Sequence, residues 1–204
     1  MLNGLRGAMT RLFTPLATLL LRLGVSPDAV TIGGTLVVVT TALWAFPTGN
    51  LLLGTLIITV FVLTDSLDGV MARQAGRSGP WGAFLDSTMD RFGDGAIFAG
   101  LVLWFTAGGD DRLTAVLALV CLVLGSIVPY ARARAEGLGM TASGGIAERA
   151  DRLLLVLVAT AVVGMGAPTV VLTIILVLLA VASAITIVQR VSKVYRQAAA
   201  GTTP

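Results

Sequence analysis

Six apolar runs, each about as long as a bilayer is thick and each closed by a short break, leave this chain few folds to choose from. They cover residues 28–46, 51–73, 82–106, 113–134, 147–166 and 168–190. A spanning helix needs roughly 20 apolar residues, and a backbone in hydrocarbon must satisfy its own hydrogen bonds, which runs of this length do as helices. The breaks carry turn chemistry: Pro47-Thr48-Gly49-Asn50, Gly108-Gly109-Asp110-Asp111 and Gly164 to Pro168. With 56% hydrophobic residues among 204, the chain is expected to be an all-α polytopic membrane protein of one domain, 1–204, with a six-helix bundle over 28–190 and a tail over 191–204. The fifth run is the weakest. Its uninterrupted part, Leu153 to Met165, is too short alone, so the span must begin near Ile146 and carry Arg149, Asp151 and Arg152 in its first turns.

Ahead of the bundle, residues 2–23 place Leu2, Leu5, Met9, Leu12, Leu16 and Leu19 at helical spacing, punctuated by Arg6, Arg11 and Arg22. This pattern suits an amphipathic helix lying in the membrane interface, or equally one packed on the bundle. Loop charges orient the chain. Twelve of the basic residues, from Arg6 to Arg196, fall on or near the side of both termini, and the opposite loops hold only Arg112. The positive-inside rule then makes both termini cytoplasmic, in a multi-pass protein of the cell membrane. With no histidine, imidazole acid–base chemistry and His ligation are excluded; the single cysteine, Cys121, cannot form an internal disulfide and reads as a packing residue.

Charge is scarce, at 12% of residues, yet Asp65, Asp68, Asp86 and Asp90 fall within 26 positions between two apolar runs. Ionisable groups at membrane depth are costly and point to function. Asp65 and Asp68 are spaced i,i+3 and Asp86 and Asp90 i,i+4, so each pair shares a helix face. If the second and third spans form a hairpin whose ends are Arg73 and Gly82, Asp65 stands level with Asp90 and Asp68 with Asp86. The deeper level would then lie roughly 12 Å below the end of the hairpin. Four carboxylates so close cannot all ionise without compensation. Two divalent cations would supply it, and an all-oxygen set selects a hard ion, Mg2+ or Mn2+. Gly69 and Gly82 remove side chains where a diphosphate must approach backbone, although close helix packing explains isolated glycines as well. Ala72 is small, and Arg73 lies one turn above Gly69, placed for a phosphate. Asp94 continues the i+4 series and is expected to pair with Arg91.

Taken together, Asp65-x-x-Asp68-Gly69-x-x-Ala72-Arg73, eight residues, then Gly82-x-x-x-Asp86-x-x-x-Asp90 resembles the signature of the CDP-alcohol phosphotransferases. The resemblance implies six transmembrane helices, a homodimer, a binuclear metal site and transfer of a substituted phosphoryl group from a CDP-linked donor to an alcohol, with release of CMP. It implies metal ligation by Asp65, Asp68, Asp86 and Asp90, with Asp90 also the general base, and contact of Gly69, Ala72 and Arg73 with the CDP group. Pro27-Asp28-Ala29-Val30-Thr31 resembles a further family motif, which puts Asp28 and Thr31 beside the nucleotide, with Gly79 in the connecting loop. The stretches Gly82–Asp94, Tyr130–Gly139 and Gly145–Arg152 resemble the prokaryotic branch that makes phosphatidylinositol phosphate.

The acceptor is expected to be anionic. Arg132 and Arg134 end the fourth span, Arg149 and Arg152 open the fifth and Arg190 ends the sixth. Converging on one cytoplasmic cavity, they would clamp a phosphate. That favours inositol phosphate, with glycerol 3-phosphate the nearest rival and CDP-diacylglycerol the donor. Two other classes use buried aspartates. A cation transporter wants them near the midplane, often in repeated halves, and an aspartate-rich membrane prenyltransferase places its two motifs far apart in the chain.

Overall fold

The computed structural model describes residues 13–64, 66–77, 79–146 and 148–201. Among these there is no strand, and eight helices follow in order: α1 (Phe13–Arg22), α2 (Pro27–Ala45), α3 (Leu51–Thr64), α4 (Ser66–Gln74), α5 (Pro80–Thr106), α6 (Arg112–Glu136), α7 (Arg149–Gly164) and α8 (Val170–Ala199). Starts are set by local chemistry. Ser26 caps α2 by accepting a hydrogen bond from the Ala29 N–H at 3.2 Å, with Pro27 in the first turn. Asp111 caps α6 through the Thr114 N–H at 3.1 Å. Glu148 opens α7, and its N–H donates to Asp151 at 3.3 Å.

Four helical stretches are long and apolar enough to cross a membrane: Pro27–Ala45, Leu51–Gln74, Arg112–Glu136 and Val170–Ala199. The other two expected spans depart for physical reasons. Helix α5 has the length but carries Asp86, Asp90, Arg91 and Asp94 between its start and its middle turn. Helix α7 is 16 residues long, about 24 Å, short of a hydrocarbon core of roughly 30 Å. Exposed Leu36, Leu56, Val60, Leu119, Leu154 and Leu178 ring the outside, an apolar surface that water would not tolerate and lipid would.

The bundle is held by two close seams. A Cβ added to Gly100 would sit 2.4 Å from the Ala42 carbonyl oxygen, and one added to Gly164 would sit 2.5 Å from the Leu52 nitrogen. Glycine therefore lets α5 lie against α2 and α7 against α3. Phe46, Ile58, Ile97, Leu101, Val156 and Leu176 fill the core between them, and Cys121 packs there as expected. At the far end Thr114 and Thr173 share a hydrogen bond of 2.7 Å that ties α6 to α8.

Three expectations need correction or limits. The second and third spans are not a packed hairpin: α5 rests on α2 and α6, while α3 rests on α2 and α7. Chain neighbours are separated here because Gly100 seats α5 on α2 while Gly164 seats α7 on α3. Helix α8 continues through Ala199, well beyond the end of its apolar run at Arg190, since no Gly or Pro interrupts it before Gly201. The N-terminal helix packs its Ala17 face on Leu67, Val70 and Met71 of α4 and leaves Leu19 and Leu23 outward; residues 2–12 of that reading, with Arg6 and Arg11, lie outside the described residues.

Candidate active site

Where α3 and α4 stand apart from α5, a cavity of about 350 Å³ opens. It is walled by Thr31 and Gly34 of α2, Phe61 of α3, Asp68 of α4, Asp90 and Asp94 of α5 and Arg149 of α7. Asp68 and Asp90, expected from opposite arms of a hairpin, thus meet the same space by facing it across a gap. The i+4 spacing of Asp90 and Asp94 puts both on the face of α5 that looks inward.

On the α2–α4 side, Thr31 is buried and its hydroxyl donates to Asp68 Oδ2. The Gly69 N–H donates to Asp68 Oδ1 at 2.6 Å, so both carboxylate oxygens are oriented. A Cβ on Gly69 would touch only Arg73 Nη1, at 3.6 Å, and one on Gly82 would meet nothing within 4 Å. Neither glycine is needed for helix packing, unlike Gly100 and Gly164. Asp28 accepts from the Trp81 indole N–H at 2.9 Å, which joins the first turn of α2 to that of α5. Arg73 and Gly79 are exposed beside them, Ala72 is half-buried, and Asp86 is exposed one turn before Asp90.

Basic side chains form the opposite wall. Arg149 Nη2 lies 2.9 Å from Asp90 Oδ1, and its Nε donates to Asp94 Oδ1 at 3.1 Å. Arg152, only 3% exposed, reaches Asp94 Oδ2 at 3.8 Å and donates to the Gly125 carbonyl at 3.4 Å. That carbonyl is available because residue 129, four positions on in α6, is proline and has no N–H to give it. Arg91 also approaches Asp90 and Asp94, at 3.6 and 3.7 Å. Arg190 is buried and donates to the carbonyls of Gly144, at 3.1 Å, and Val128. Arg91, Arg149 and Arg190 all stand close enough to Arg152 to repel it.

The structure gathers Thr31, Asp68, Asp90 and Arg149 at one cavity, with Arg152 and Arg190 buried behind the basic wall. Arg132 and Arg134 stay on the exposed surface of α6, where Arg132 pairs with Glu136 at 2.8 Å. Asp65 lies outside the described residues, and among those described no three acidic side chains converge closely enough to share one cation. The donor chemistry still suits a hard ion: the acidic groups here are carboxylates from α4 and α5, and no thiolate or imidazole is among the cavity-lining residues. Sequence reasoning paired Asp94 with Arg91 alone and missed that it also meets Arg149 and Arg152. The signal was its place in the 86-90-94 series, but its partners come from a distant helix.

Known proteins resemble this chain in both sequence and fold. The sequence profile of the CDP-alcohol phosphatidyltransferase family matches residues 24–182. A phosphatidylinositol phosphate synthase of Streptomyces avermitilis is 47% identical over 95% of this chain and 82% of its own length. The one from Cutibacterium acnes is 46% identical over 96% of this chain and 98% of its own. The crystal structure of the Mycobacterium tuberculosis phosphatidylinositol phosphate synthase with CDP-DAG bound superposes with a TM-score of 0.88 at 44% identity, covering 91% of this chain and 94% of that one. The same enzyme in complex with manganese and citrate gives 0.87 at 44% identity, over 90% and 88%.

Proposed function

The chain belongs to the CDP-alcohol phosphatidyltransferase family, and from that premise we propose that it transfers the phosphatidyl group of CDP-diacylglycerol to a hydroxyl of inositol phosphate, giving phosphatidylinositol phosphate and CMP. The observation that carries the acceptor is Arg149 lining one cavity with Asp90 and Asp94, with Arg152 buried behind it against Asp94. Inositol would bring no charge to those guanidiniums and serine only a carboxylate beside its own ammonium, whereas a phosphate dianion takes a bidentate clamp. Arg190 supports the same reading from behind, and the exposed Arg132 and Arg134 do not.

Asp65, Asp68, Asp86 and Asp90 would hold two divalent cations, Mg2+ or Mn2+; bound there, such ions polarise the diphosphate and offset the charge that develops on the leaving CMP. Thr31 and the Gly69 N–H hold Asp68 in place. Gly69, Ala72, Gly79 and Gly82 leave a smooth path for the nucleotide, with Arg73 placed to meet its phosphate and Asp28 and Trp81 at its edge. Asp90 accepts the proton of the acceptor hydroxyl as its oxygen attacks the β-phosphorus. The bond from that phosphorus to the CMP oxygen breaks, and the electron pair leaves with CMP. In the membrane, α5 and α7 complete a six-span domain, α1 rides the interface, and both termini and the cavity face the cytoplasm, as the arginine distribution asks.

Purified protein offered CDP-diacylglycerol with inositol phosphate, glycerol 3-phosphate, inositol or serine tests this directly. Phosphatidylinositol phosphate as the lipid made, lost on chelation and restored by Mg2+ or Mn2+, is the expected result. Phosphatidylglycerol phosphate would replace the acceptor. No CMP with any of the four would sink the proposal.

A further inference from the structure

We infer that Asp94 is a positioning residue for the acceptor: its carboxylate holds Arg149 and Arg152 in the arrangement that takes the acceptor's phosphate. This rests on the reaction proposed above and goes beyond it, because Asp94 lies outside the family's aspartate signature.

Asp94 is met by three guanidiniums, Arg149 at 3.1 Å, Arg91 at 3.7 Å and Arg152 at 3.8 Å, and its side chain is 15% exposed. The arginines come from α5 and α7, so the carboxylate is the point at which the two helices' charges are joined. Asp90 shares Arg149 and Arg91, but Asp90 has other duties. A carboxylate that ligates a cation and receives a proton cannot also keep a guanidinium in place through the reaction. Asp94, about 6 Å farther along α5, carries neither duty and can hold Arg149 throughout. Arg152 needs the same anchor for a different reason. It is buried among like charges, which Asp94 answers with a negative charge and the Gly125 carbonyl, being neutral, does not.

The charges balance in favour of an anion. Arg91, Arg149 and Arg152 against Asp90 and Asp94 leave one positive charge at this cluster. Asp94 therefore orders the arginines without cancelling them. Both Asp94 and Arg149 line the cavity, so a phosphate entering it meets a guanidinium whose rear edge is already fixed. Pre-organisation of this kind appears in acceptor affinity, not in donor affinity.

The test is steady-state kinetics of Asp94→Asn and Asp94→Glu on whichever phosphorylated acceptor the unaltered enzyme uses, with Mn2+ affinity and acceptor binding measured by calorimetry. For Asp94→Asn the acceptor KM and Kd should rise about tenfold or more, while the CDP-diacylglycerol KM and the Mn2+ affinity stay within about twofold. Asp94→Glu, which keeps the charge, should recover part of the loss. An unchanged acceptor KM overturns the inference, and so does a parallel fall in Mn2+ affinity, which would make Asp94 a metal ligand. If Asp94→Asn does not fold, Asp94→Glu decides alone: its longer arm should raise the acceptor KM and leave the donor KM, and no change there overturns the claim. An unaltered enzyme that uses no phosphorylated acceptor would instead strike the proposed function, a separable failure.

Discussion

Arg149 on α7 reaches Asp90 on α5 at 2.9 Å, which places a cation from a distant part of the chain directly on the carboxylate proposed as general base. The pair joins α7 to α5 across one cavity, linking the wall proposed for the acceptor to the wall proposed for the reaction. On the proposed reaction, an acceptor phosphate that engages Arg149 comes next to Asp90.

That relationship makes Asp90 the most sensitive position. Asp90→Asn keeps the shape and removes the charge, so CMP release should fall by roughly three orders of magnitude or more, about 4 kcal/mol. The fold should persist, because Arg149 retains Asp94. The measurement is CMP release alongside the thermal midpoint in detergent, and full turnover would remove Asp90 from the mechanism.

Arg152→Lys separates charge from shape. A lysine keeps the charge but cannot span both Asp94 and the Gly125 carbonyl as a planar fork does. The acceptor KM should rise about tenfold, ~1.4 kcal/mol, with the CDP-diacylglycerol KM within about twofold. Equal rises for both substrates would show that Arg152 serves the fold as a whole.

The two kinds of glycine should respond oppositely to alanine. At Gly100 the new methyl meets the Ala42 carbonyl at 2.4 Å, and backbone cannot give way cheaply, so a loss of about 1–3 kcal/mol is expected. At Gly82 nothing stands within 4 Å. Gly82→Ala should keep its thermal midpoint yet raise the CDP-diacylglycerol KM, if the nucleotide passes there. Thermal melts with donor kinetics on both variants check this.

Helix α8 beyond Arg190 fastens the 141–146 loop. Gln197 accepts from the Thr141 N–H at 2.9 Å and donates to its carbonyl at 2.7 Å. Lys193 reaches the Ser143 carbonyl at 3.3 Å, Arg190 that of Gly144 at 3.1 Å, and the Thr186 hydroxyl accepts from the Ile146 N–H at 3.2 Å. This loop leads into α7 and so into Arg149. Gln197→Ala should cost about 1–2 kcal/mol and speed amide exchange at Thr141, with the acceptor KM rising and the donor KM unmoved. Unchanged exchange at Thr141 would show that the loop holds itself.

Much of this protein was written along the chain. Apolar run lengths imposed helices, because hydrocarbon offers a backbone no other partner, and the aspartate spacing put Asp68 and Asp90 on inward faces. What the chain alone could not decide is which helices touch, since that depends on where side chains are small enough for backbones to meet: Gly100 against Ala42 and Gly164 against Leu52 drew α5 and α3 onto other partners and left a cavity where a hairpin seam was expected. Nor could it sort the arginines, all equally charged in sequence. Pro129 frees a carbonyl and Asp94 offers a carboxylate, so Arg149 and Arg152 turn inward, while Arg132 finds Glu136 on its own helix and stays in the open. Residue type and spacing act locally and are legible; the pairing of a buried charge depends on partners far away in the chain, and only the packed bundle brings them together.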